Sequence, residues 1–158
     1  MSIIADAALG ARHRLLLVLS EEPNALQASA FLSNERWPTR ALNFSERFAG
    51  YLDGVPASLV SQKNMLCFVR LSLQRRELVI ANNLEPALAL FADAERELLW
   101  NRLFAEAIDV LGMMVVVMRT DNPLAPIRST VERFPQCVRG VLGALTPDHQ
   151  LLKSIEGE

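Results

Sequence analysis

The chain is poor in the residues from which metal centres and disulfide frameworks are built. It carries 2 cysteines and 2 histidines in 158 residues. Cys67, Cys137, His13 and His149 lack the spacings by which zinc gathers its usual four ligands, so no metal site is expected. Both cysteines sit in apolar surroundings, which predicts buried free thiols in a reducing, cytoplasmic compartment. Long apolar runs are missing too. "VLGMMVVVM" at 110–118 is far short of the roughly 20 residues that a spanning helix needs. The apolar run in "MSIIADAALGARHRLLLVLSEEP" is about six residues, below the length of a signal peptide, and no small-residue cleavage site follows it. A protein away from the membrane is expected. Net charge is −2, which gives no global signature of a nucleic-acid binder. There is no "GxSxG" elbow. His13 precedes the first strand at its amino end, and His149 follows Pro147 near the terminus. No nucleophile–base pair is therefore expected, and the chain reads as no enzyme of the hydrolase kind.

What is present is ordinary globular material, with 51% hydrophobic and 22% charged residues. The length suits one domain over 1–158, with a core at 12–145 and a C-terminal tail at 146–158. Charge is uneven, with nine basic and seven acidic residues up to position 80 and seven basic and eleven acidic beyond it. Arg12, Arg14, Arg36, Arg40, Arg75 and Arg76 are the candidate basic patch, although a scattered solvated surface is the plainer reading.

Short apolar runs alternate with amphipathic segments. "RLLLVLS" (14–20) stops at "EEPN", and Asn24 then caps a helix over 24–34. "TRALNFS" (39–45) predicts a second strand, with Ser45 capping the next helix and Gly54 closing it. The segment 56–74 fits either type, and helix is favoured because the run from Ser58 is long and Pro56 suits a helix start. "ELVIA" (77–81) predicts a strand buried on both faces. Asp93 is expected to cap a helix running to Leu111, with Trp100, Leu103, Phe104, Ala107, Ile108 and Leu111 inward and Glu95, Arg96, Arg102 and Glu106 in water. Gly112 is expected to close it. "MMVVVMRT" (113–120) is a strand on its three valines, "IRSTVERF" a short helix, and "CVRGVL" (137–142) a last strand. The order β-α-β-α-β-α-β-α-β predicts an α/β fold: a single three-layer domain with a mostly parallel five-stranded sheet and helices on both faces.

Open parallel sheets bind ligands at the carboxyl ends of their strands. After the first strand, a phosphate-binding loop needs glycines, a lysine and a Ser/Thr for magnesium. "SEEPNALQASA" has neither glycine nor lysine; the only lysines are Lys63 and Lys153. Glu21 and Glu22 would repel phosphate, at roughly 1–4 kcal/mol per like-charge pair about 4 Å apart. After the third strand, Ile80-Ala81-Asn82-Asn83-Leu84-Glu85 follows an "hhhhDxxE" pattern, with Asn82 where an acid is wanted. Glu85 stands in the place of a water-orienting acid, and Thr120 and Asn122 stand where a γ-phosphate sensor would. Turn and cap roles account for each of these residues separately. Together, Glu21, Glu22, Asn82, Asn83, Glu85, Thr120 and Asn122 are the candidate binding surface.

This layout resembles a P-loop NTPase core without its P-loop. More narrowly, "RALNFSERFAGYLDG", "RRELVIANNLEPALALF" and "VVVMRTDNP" are similar to segments of the small P-loop protein of bacteriophage-exclusion (BREX) defence systems, over roughly residues 12–142. That family has a Gly-rich loop after strand 1 and an Asp-Asn-hydrophobic-Glu element after strand 3. Asn83 and Glu85 match the second element, Asn82 departs from its Asp, and the first is missing. The resemblance implies a degenerate member that needs no cofactor. It would act by contact with protein partners in a multi-subunit assembly, with nucleic acid reached only indirectly and self-association open. The alternative is a cytoplasmic accessory, sorting-platform or chaperone-like factor of a bacterial secretion system, which "NMLCFVRLSLQRREL" loosely resembles. An unbroken helix over 58–80 would favour that alternative, and a central strand at 77–81 would count against it.

Overall fold

Strands with no polar face require cover on both sides, and the apolar runs of this chain lie side by side in one sheet. The computed structural model describes residues 14–20, 37–119, 121–133 and 137–139. Its elements are β1 (Leu15–Ser20), β2 (Thr39–Asn43), α1 (Phe44–Leu52), α2 (Gln62–Ser72), β3 (Leu78–Asn82), α3 (Glu85–Leu88), α4 (Asp93–Glu106), β4 (Met113–Arg119), α5 (Arg128–Arg133) and β5 (Cys137–Arg139). The strands form one sheet in the order β2-β3-β4-β1-β5, and every neighbouring pair is parallel. Four strands of five to seven residues make up its body, and β5 adds three residues at one edge.

The alternation of strand side chains divides the sheet into two apolar faces. Leu15, Leu17, Leu19, Val79, Ala81, Met114, Val116 and Met118 join the helices in one core cluster. Leu16, Val18, Leu78, Ile80, Met113 and Val115 point the other way and are equally buried. The described helices pack in series, α1 on α2, α2 on α4 and α4 on α5. That is the single-face arrangement that right-handed crossovers β2→β3→β4→β5 produce. The helix expected at 24–34 lies outside the described residues. An aromatic cluster locks α1 to α2: Phe44 meets Phe68 edge-on at 5.1 Å, and Phe48 and Tyr51 lie 5.3 and 5.6 Å from the same ring. Such pairs add about 0.5–1.5 kcal/mol each beyond the area they bury.

Several boundaries differ from expectation, each for a local reason. Asn43, not Ser45, caps α1, its Oδ1 accepting from the Glu46 N–H at 3.3 Å. The closing left-handed residue is Asp53 (φ 45°), with Gly54 (φ 83°) one step later. Helix α2 begins at Gln62 rather than Ser58, because Ser61 and Asn64 form a reciprocal capping box there. It ends at Ser72, and Leu78–Asn82 pairs inside the sheet, so 58–80 is not one helix. Asp93 is the first residue of α4 rather than its cap, and the helix gives way at Ala107 to a short 3-10 turn. Leu111 is consequently exposed. Arg96, placed in water by the periodicity, is buried: its guanidinium donates to the Phe91 and Leu88 carbonyls and pairs with Asp93. Cys67 is only half-buried.

Gly112 does not end a helix in the left-handed conformation; Gly54 is the one glycine with positive φ among the described residues. Its role is close approach. A Cβ there would lie 2.7 Å from the Arg75 carbonyl oxygen and 3.1 Å from that of Glu77, while its N–H donates to Leu73 O at 3.0 Å. Gly112→Ala must push two backbone segments apart, and a loss of about 1–3 kcal/mol is expected in urea denaturation. An unchanged midpoint would show that this crossing yields freely.

Candidate functional site

Parallel pairing puts the carboxyl ends of all strands at one end of the sheet, and the polar residues singled out after β3 and β4 gather there. In the β2–β3 register Asn43 stands beside Asn82. Asn43 Oδ1, already capping α1, also accepts from Asn83 Nδ2 at 2.9 Å. Asn83 takes the left-handed conformation (φ 55°) that asparagine tolerates better than most residues. Its carbonyl accepts from the Ser45 N–H at 3.2 Å, and Ser45 Oγ accepts from the Ala87 N–H at 3.0 Å. Three bonds thus stitch the turn after β3 onto the start of α1.

The loop after β4 joins from the other side. Asn122 donates through Nδ2 to Glu85 Oε1 at 3.3 Å, and its Oδ1 accepts from the Leu124 N–H at 2.9 Å in an Asx turn. Trp100, buried in the core, reaches out to donate from its indole N–H to Leu124 O at 3.1 Å. Glu97 receives the Ile127 N–H and the Thr130 hydroxyl, at 2.9 and 3.0 Å, and so anchors the start of α5. Arg119 pairs with Asp121 at 2.9 Å, and this hydrogen bond and charge hold the Asp121 carboxyl below its usual 3.8. Whatever this exposed pair contributes is complete above that value. It fades only as pH falls through the lowered one.

Asn82, Asn83, Glu85 and Asn122 are therefore brought to one end of the sheet. Glu21, Glu22 and Thr120 lie outside the described residues, as do Arg12 and Arg36 of the basic patch. Arg14 lies over the Trp37 ring, 5.3 Å from its centroid. Arg40 and Arg75 share a groove beside β2 with Arg47, and Arg76 is exposed nearby. Among the described residues no three acidic, histidine or cysteine side chains are placed to hold a metal ion. The gathered groups are neutral amides and one carboxylate that an amide already engages. Among the described residues they present hydrogen-bonding amides and a single negative charge.

Comparison with protein-family models, with curated proteins and with solved structures returns no match.

Sequence reasoning passed over Asn43 and Ser45 as partners of this cluster, and Trp100 and Glu97 as its supports. Asn43 was findable: "N-x-x-E" at 43–46 has the spacing of a helix cap. The others were not, because their partners lie 24 to 42 positions away along the chain.

Asn82 is the exception in the network. Its Oδ1 is buried without any hydrogen-bond partner, on the face that also carries Leu78 and Ile80. A buried acceptor left unpaired costs about 1–3 kcal/mol. Asn82→Leu is accordingly expected to raise stability by about 1 kcal/mol, and Asn43→Ala, which removes two bonds, to lower it by about 1–2 kcal/mol. Paired urea denaturation curves check both signs.

Proposed function

We propose that the chain is a catalytically inactive, NTPase-like subunit that works through protein–protein contacts in a multi-protein bacterial system, with anti-phage defence as the first assignment. The observation that supports this reading most is the strand order. A nucleotide-hydrolysing core of the resembled kind draws its groups from the loops after strands 1, 3 and 4. Here β3, β4 and β1 are consecutive neighbours with their carboxyl ends at one end of the sheet. The geometry for such a site is kept while its charges are not. Asn82 presents an amide where magnesium chemistry wants a carboxylate, Glu85 is bonded to Asn122, and the sequence after β1 has neither glycine nor lysine. The secretion-accessory alternative is disfavoured by the break of 58–80 into a helix and an internal strand.

Among the described residues no helix is long and apolar enough to cross a membrane, in keeping with a partner met in the aqueous phase. Titration with ATP and GTP in the presence of magnesium, to millimolar concentration, is expected to give no binding heat. Asn82→Asp is expected not to restore any, because the phosphate loop is still missing. A Kd of about 10 μM or tighter, near −7 kcal/mol, would overturn the inactive reading. Co-expression with the products of adjacent genes, followed by light scattering, is expected to yield a stable hetero-complex. A chain that elutes alone beside each of them counts against the subunit role.

A further inference from the structure

Among the described residues one edge of the sheet is open: β2 pairs with β3 on one side and with no strand on the other. The Leu78 N–H donates to the Pro38 carbonyl at 2.8 Å. Along this parallel ladder, residues 38, 40 and 42 therefore turn their backbone groups toward β3, and Thr39, Ala41 and Asn43 turn theirs outward. All three of the outward residues are exposed. Proteins usually blunt such an edge with lysine, proline, a bulge or a covering segment. Within Thr39–Asn43 there is no lysine, proline or bulge. The one charged side chain, Arg40, is turned aside to bond Glu77 at 2.9 Å and Ser72 O at 3.0 Å.

Beside this edge runs an open groove of about 840 Å³ between α1, α2 and the turn at 74–77. Its apolar lining is Tyr51, Phe68 and Leu71, and Tyr51 and Leu71 remain 37% and 53% exposed. Its charges are Arg40, Arg47 and Arg75 against Glu46 and Glu77. Glu77 is taken by Arg40, and among the described residues Arg47 and Arg75 have no ion-pair partner, so the groove presents net positive charge. Gly50 adds a separate observation. It sits inside α1, where glycine is a poor helix former, yet nothing lies within 4 Å of the place its Cβ would occupy. Packing does not require this glycine; its effect is to leave the groove wide.

We propose that the β2 edge and this groove together form a docking site for an extended acidic–apolar segment of a partner protein. The segment adds to β2 as an edge strand through the outward groups of Thr39 and Ala41 and the N–H of Asn43, whose carbonyl is taken by the first turn of α1. Alternate apolar side chains enter the groove against Tyr51, Phe68 and Leu71, and carboxylates meet Arg47 and Arg75. A second copy of the chain is the poorer occupant. Antiparallel pairing of β2 with itself would bring both sets of Arg47 and Arg75 onto one face of a continuous sheet, and like charge opposes that. The inference stands apart from the nucleotide reading, since the groove uses none of the residues after β3 or β4.

The test is selection of a random 12-residue peptide library, displayed on phage, against the full chain. Enriched peptides are then synthesised with a fluorescein label and measured by anisotropy. Enrichment of sequences alternating apolar residues with Asp or Glu is expected. Ala41→Pro removes an outward N–H but no ladder bond, and the double variant Arg47→Glu/Arg75→Glu reverses the rim charge. Each is expected to weaken binding at least tenfold, with the fold checked by circular dichroism, while Arg128→Ala, on the exposed side of α5, leaves it unchanged. If Ala41→Pro fails to fold, the same loss is expected in the unaltered chain when the peptide is N-methylated at alternate positions. No enrichment, enrichment of basic peptides, or binding that survives loss of the edge donor overturns the proposal. Sedimentation showing a dimer that the charge reversal strengthens would assign the edge to a second copy instead. Binding of oligo-dT that the charge reversal abolishes would assign the groove to nucleic acid.

Discussion

Everything at the carboxyl end of the sheet depends on the ladder between β1 and β4. It runs unbroken from Leu15 opposite Met114 to Ser20 opposite Arg119, joining segments about a hundred positions apart in the chain, a closure whose entropy cost rises only slowly with length. Both strands are buried on both faces, and a one-residue slip would keep apolar contacts while moving every loop by one pleat. The ladder is pinned from the side by β3, whose Leu78–Ala81 pair with Met113–Val116, and from below by Gly112, where the chain enters β4 too close to Arg75 and Glu77 to admit a side chain. The cluster of Asn82, Asn83, Glu85 and Asn122 exists because these three strands finish together.

That cluster has two parts of different character. Asn43, Asn83 and Ser45, with Glu85 and Asn122, behave as structural polar residues: each finds partners, and together they hold two loops against the ends of the strands. Buried polar groups are normally satisfied in this way. Asn82 is not: its side-chain carbonyl is buried without a hydrogen-bond partner among the described residues. The surrounding network is satisfied while this one acceptor is not. This combination fits a scaffold whose ends serve contacts, and it places the cationic, partly apolar surface elsewhere, beside β2.

The strands were legible in the sequence because burial on both faces writes itself as continuous apolar runs. "LLLVLS", "LVIAN" and "MMVVVMR" needed no partner to be recognised. Helices α1, α2 and α4 were legible from period and length, less so at their ends. Ser61 outcompeted the proline ahead of it because it had Asn64 in reach for a capping box. Arg96 was misplaced because periodicity assigns a side, not a partner. The carbonyls of Leu88 and Phe91, at the end of the short helix α3 and just beyond it, are what draw its guanidinium inward. That Asn82, Asn83, Glu85 and Asn122 stand at one end of the sheet follows from the parallel pairing that the alternation of strands and helices implied.

By itself, then, the sequence determined the class of fold, the apolar cores of its strands and the absence of a phosphate loop, all of which are local patterns of composition. The tertiary structure alone decided the strand order, the open edge at β2, and the meeting of Arg40, Arg47 and Arg75 around Tyr51, Phe68 and Leu71. Those residues come from α1, α2 and the segments flanking them. Only the crossover from β2 to β3 folds the two helices against each other beside an unpaired edge. Such adjacency is a property of chain closure, which no window of sequence contains.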